Sequence, residues 1–157
     1  MNTLTRKLVV AAALTFVAAA AAFAGNPQMG TWKFNEAKSD MPAGRAHNTT
    51  VTYSDGTDGM IKLTADGVDK DGKPSHWVWE GKFDGKPYKV EGNPVTDMIA
   101  YTTVDDHTNT LTGTKDGKTT MSGTITVAAD GKSRTVTTTV TGADGKSTTS
   151  KSSYDKQ

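Results

Sequence analysis

Apolar and polar residues alternate over much of the chain. Val51 and Tyr53 share one side of residues 49–54, and Ile61, Leu63 and Ala65 share one side of 60–65. Met121, Gly123, Ile125 and Val127 do the same over 118–128, as do Val136, Thr138 and Val140 over 133–141. A period of two places such residues on one face of a strand. The densest aromatic run is Ser75 to Phe83, where Trp77, Trp79 and Phe83 fall on one face with Gly81 among them. A glycine inside such a strand signals space, a bulge or a close approach.

Further strands are predicted at 31–34 (Trp32, Phe34), 88–90, 96–104, 108–115 and 146–154. The piece 96–104 is apolar on both sides, with Ile99 and Tyr101 opposing Met98, Ala100 and Val104. Asp-Gly-Lys recurs at 71–73, 84–86, 116–118, 130–132 and 144–146. Asp-Gly between alternating stretches marks hairpin turns, which need positive φ. Residues 25–29 read as a disordered lead, and 35–48, holding Pro42 and Gly44, as a crossing loop, with one helical turn near Asn35–Lys38 as the lesser alternative. Eight to ten short strands joined by local turns predict an all-β fold, an antiparallel meandering β-barrel. A sandwich would need longer crossovers, and closure removes sheet edges.

Composition changes the picture at the N-terminus. Arg6 and Lys7 precede an apolar run from Leu8 that ends in Ala22-Phe23-Ala24. That is the layout of a secretory signal peptide, so residues 1–24 are expected to be a leader and 25–157 a single β-barrel domain, periplasmic or secreted. Without the two leader cations, the formal charge of +1 becomes −1. No concentrated positive field remains for nucleic acid or an anionic membrane, and no membrane insertion is expected. Cysteine is absent, which excludes a disulfide framework. Residues 25–157 contain only 16 Leu, Ile, Val or Phe, so Trp, Tyr and Met must supply much of a thin core.

Gly30-Thr31-Trp32-Lys33 resembles the opening of lipocalins and intracellular fatty-acid-binding proteins. The resemblance implies that Trp32 plugs one end of a lipocalin-like barrel, beneath a basic side chain such as Arg134 or Lys151. It stops there. The loop after the first strand is too short for the helix pair of fatty-acid-binding proteins. Ser152 precedes Tyr154 where their Arg-x-Tyr carboxylate anchor would stand. With its repeated Asp-Gly-Lys turns, the whole pattern resembles small secreted bacterial β-barrel proteins of uncharacterised function.

Catalytic and metal chemistry finds little footing. His47, His76 and His107 lack partners at zinc-ligand spacing, and each lies in or beside a predicted loop. Asp105-Asp106 beside His107 reads as a polar turn. The lone acids of the Asp-Gly-Lys turns do not make calcium loops. No Gly-x-Ser-x-Gly elbow or phosphate loop is present. No enzyme activity, cofactor or metal is expected. Tyr53, Ile61, Leu63, Trp77, Trp79 and Phe83 remain as candidates to line a cavity for a small apolar ligand; equally, they could be core. A monomeric ligand-binding barrel therefore competes with a non-catalytic structural or interaction module, such as an inhibitor or envelope-associated protein. The latter would have a filled interior and an apolar outer patch near Ile99 and Tyr101.

Overall fold

The computed structural model describes residues 25–42 and 44–157; the expected leader lies outside them. Ten strands form a closed barrel. In chain order they are β1 (Gly30–Phe34), β2 (His47–Asp55), β3 (Ile61–Val68), β4 (Pro74–Gly81) and β5 (Asp84–Glu91). Then come β6 (Met98–Thr103), β7 (Thr108–Lys115), β8 (Lys118–Val127), β9 (Ser133–Thr141) and β10 (Ser147–Lys156). Each pairs antiparallel with the next, and β10 returns to β1, where Trp32 opposes Lys156 and Phe34 opposes Tyr154. The meander is as the periodicity predicts. Lipocalin barrels have eight strands, so the count departs from that part of the resemblance. No helix among the described residues is long and apolar enough to cross a membrane.

The turns follow from local chemistry. All five Asp-Gly-Lys glycines sit at φ between 69° and 79°, a region closed to most L-residues. In three of these tripeptides the aspartate Oδ1 accepts the lysine backbone N–H, at 3.0 Å from Lys86, 2.9 Å from Lys132 and 3.1 Å from Lys146. Asp130 and Asp144 brace their own turns in this way, and Asp84 braces the start of β5. The loop after β1 carries the helical turn that stood as the alternative to a plain crossing loop, Glu36–Lys38, capped by Asn35 Oδ1.

Two local expectations are overturned. Residues 25–29 are no loose lead: Gln28 is fully buried, and Met29 N–H donates to Asn26 C=O at 3.0 Å. Asp84-Gly85 does not turn β4 but opens β5, next to a register shift between Asp84 and Pro87. Phe83 thus lies in the corner between β4 and β5 rather than on the Trp strand. The two strands pair there only at Val78–Glu91 and Trp79–Val90.

The interior has two halves of different composition. Toward one end it is filled by Trp32, Tyr53, Leu63, Trp79, Ile99 and Tyr101, all buried. Toward the other, inward positions on β8, β9 and β10 are Met121, Val136, Thr138, Val140, Ser150 and Ser152, which are smaller or more flexible. Large aromatic side chains fill one half, and these smaller ones leave room in the other.

Candidate functional site

The filled end is built around two tryptophans. Trp32 is wholly buried; its indole N–H donates to Gln28 C=O at 2.7 Å. The Arg134 guanidinium lies 4.8 Å from the Trp32 ring, 5.1 Å from Tyr53 and 5.0 Å from Tyr154, and donates to Gln28 Oε1 at 3.0 Å. Of the two basic residues named for covering the plug, Arg134 is the one over it. Lys151 is exposed on β10, while Lys156 sits 5.1 Å from the same ring. Arg134 is almost fully buried without a carboxylate partner among the described residues, so the three ring faces and Gln28 hold its charge.

Trp79 centres the second cluster. Its N–H donates to Ile99 C=O at 3.0 Å, and its ring meets Tyr101 edge-on at 4.7 Å, with Phe83 and Tyr88 both at 5.9 Å. Gly81 is required here, because a Cβ at that position would stand 2.5 Å from the Tyr88 ring and 2.6 Å from that of Trp79. Of the meanings open to this glycine, close approach is the one realised.

The other half holds a cavity of about 530 Å³ that opens at the rim. Its walls are Trp77, Val68, Met121, Val136 and Val140, with Tyr154 beside them and Met41 reaching in from the crossing loop. Ser152 Oγ donates to Met41 Sδ at 3.1 Å, fixing that loop against β10. Tyr154 also touches Arg134, so its ring divides cavity from plug. Burial pushes the Tyr154 phenol up to about 12, with Arg134 pulling the other way. Its O–H donates to Asn48 C=O at 3.2 Å.

Asn48 reaches the cavity because of a bulge. The β2–β3 register shifts between Asn48 and Thr50, which breaks the alternation and lets a residue on the parity opposite to the inward Val51 and Tyr53 turn in. Opposite stands Gly67, where any Cβ would collide with the backbone of His47 and Asn48. Asn48 Oδ1 then accepts the Trp77 indole N–H at 3.0 Å.

Charge is confined to the rim, at Arg45, His47, Asp69, Lys70 and Asp71. Asp69 Oδ1 accepts backbone N–H groups of Asp71 and Lys73, and Lys70 pairs with Asp71 at 3.1 Å. The His47 ring lies tilted against Phe34 at 4.6 Å, with Nδ1 2.9 Å from Arg45 C=O. His76 is exposed on β4, 2.7 Å from Asp66, and His107 lies in the β6–β7 turn. No group of three His, Cys, Asp or Glu among the described residues could hold a metal.

The six candidate lining residues are divided. Trp77 borders the cavity. Tyr53, Leu63, Trp79 and Phe83 belong to the filled half, and Ile61 packs against it. Met121, Val136, Val140 and Tyr154 complete the wall; the first three were visible as one-faced residues but had no aromatic signal to single them out. Ile99 and Tyr101, named for an outer patch, are buried inside, and the exposed large apolar residues among those described are Val95 and Val104.

No protein-family model matches the chain, and no curated protein matches it significantly. Among solved structures, a redesigned beta barrel, mFAP1, bound to DFHBI, is similar to it. The identity is 16%, the TM-score 0.44, and the match covers 83% of this chain and 95% of that one.

Proposed function

We propose that this barrel binds a small, mainly apolar molecule in the cavity at its open end. It would act as a monomer in the periplasm or outside the cell, where the leader-like residues 1–24 would direct it. The observation that carries the reading is the apolar cavity itself. Its volume of about 530 Å³ lies in the usual range for small-molecule sites, and its wall combines an indole, two thioethers and valines with hydroxyl and amide groups and ionisable residues at the rim. Methionines adapt to irregular shapes, which suits a site holding an apolar body without fixed charge. The competing module reading lacks the outer patch it requires, since Ile99 and Tyr101 face inward.

Tryptophan emission tests this directly. Trp32 and Trp79 are wholly buried with their N–H groups satisfied, whereas Trp77 is half-buried on the cavity wall. Titrating the purified protein with medium-chain alcohols, ketones, acids and aromatic hydrocarbons should give a saturable emission change with at least one of them. The change should vanish in Trp77→Phe. If none alters the emission, and protein isolated from its host shows only its own mass by native mass spectrometry, the reading fails.

A further inference from the structure

The cavity wall carries a polar device beside Trp77 that apolar burial does not explain. An indole nitrogen can only donate, so the Asn48 atom facing Trp77 Nε1 at 3.0 Å must be the carbonyl oxygen. That fixes which way the carboxamide lies. Its Nδ2, with two N–H donors, has no partner among the described residues, on a side chain that lines the cavity. Asn48 is also held rigidly, by Tyr154 O–H on its backbone carbonyl and by the bulge opposite Gly67. A donor pre-positioned at an apolar wall discriminates well, because ordering it costs nothing further on binding.

We infer that Asn48 is the specificity-determining residue of this site. The ligand is then an apolar molecule with an acceptor oxygen, a carbonyl above all, that receives the Nδ2–H while its body lies on Trp77, Val136 and Val140. This rests on the binding reading above. Neighbouring Ser150 and Thr138 hydroxyls also line the cavity, but a hydroxyl both donates and accepts and does not select for acceptors. The Asn48 amide, with Trp77 on its oxygen, turns its two N–H donors to the cavity; Asn93, whose oxygen accepts the Val95 and Thr96 N–H groups, is a second lining asparagine, on the connection after β5 rather than beside Trp77.

The test compares 2-octanone with its near-isostere 2-methyl-1-octene, in which C=CH₂ replaces C=O, by Trp77 emission. The wild type should bind the ketone about 3- to 10-fold more tightly, the span of one net hydrogen bond. Asn48→Asp keeps an acceptor for the Trp77 indole and replaces the NH₂ donor with an oxygen. It should lose that preference while retaining the alkene. Asn48→Leu should lose it as well, with thermal unfolding of both variants checked first. Equal binding of ketone and alkene by the wild type, or an undiminished preference in folded Asn48→Asp, overturns the inference and leaves the binding reading standing. Binding of neither probe, with no other ligand perturbing Trp77, removes the binding reading itself.

Discussion

Two tryptophans two residues apart have different roles. Trp79 has no exposed surface, a satisfied N–H and three aromatic neighbours within 6 Å. Trp77 presents one face to the cavity. Trp79→Ala should therefore destabilise the barrel by about 3–5 kcal/mol, the usual result of emptying a packed aromatic site. Trp77→Ala removes a ring already beside open space and should lose only about 1–2 kcal/mol, in keeping with half the burial. Urea unfolding of the two variants measures the contrast. Equal losses would mean that the cavity closes around Trp77 in solution and that the barrel is filled throughout.

Among the elements, the lead before β1 is inconspicuous in the sequence yet is anchored through the buried Gln28. Gln28 is the acceptor for Arg134, and its backbone carbonyl receives the Trp32 indole. Gln28→Ala keeps the second bond and removes the first, leaving a buried guanidinium with ring faces alone. The expected loss is about 1.5–3 kcal/mol, the range for hydrogen bonds to a charged group; an unchanged urea midpoint would show that the lead is not structural. The ten strands themselves were legible, because a period of two and Asp-Gly punctuation are local properties of the chain. Height within the barrel was not. Periodicity puts Trp77 and Trp79 on one face but says nothing of the roughly 7 Å between them along the strand, which here separates cavity wall from core. The Asn48 bulge was equally hidden, since it depends on Gly67 pairing across from it, and so was the corner that tucks Phe83 under Tyr101. A one-residue break in alternation leaves no trace in composition.

For the whole molecule, ionisation joins the turns, the cavity floor and the filled half in one measurable curve. Four carboxylates, two exposed and two half-buried, are held below their ordinary range by hydrogen bonds. Thr57 donates to Glu80, the Lys86 N–H to Asp84, the His107 N–H to Asp105 and Asn35 to Asp155. A lowered folded-state value means that the unfolded chain takes up protons first as pH falls. Their contribution is thus present above about pH 4 and lost below it. At the alkaline side the sign reverses. Burial raises Tyr101 well above 10.0 and Tyr154 to about 12, so the unfolded phenols release protons first as pH rises. Stability should be level between the acid limb and about pH 10 and fall between about 10 and 12 as the chain is drawn toward the ionised unfolded state. Tyr154→Phe removes one of the two contributors along with the hydroxyl bond to Asn48. It should lower stability modestly at neutral pH yet flatten the alkaline decline, leaving the slope that Tyr101 supplies. Urea midpoints from pH 7 to 11.5 for both proteins would show this. Parallel alkaline limbs would mean that Tyr154 titrates as an exposed phenol, and that the floor between cavity and plug is open to water.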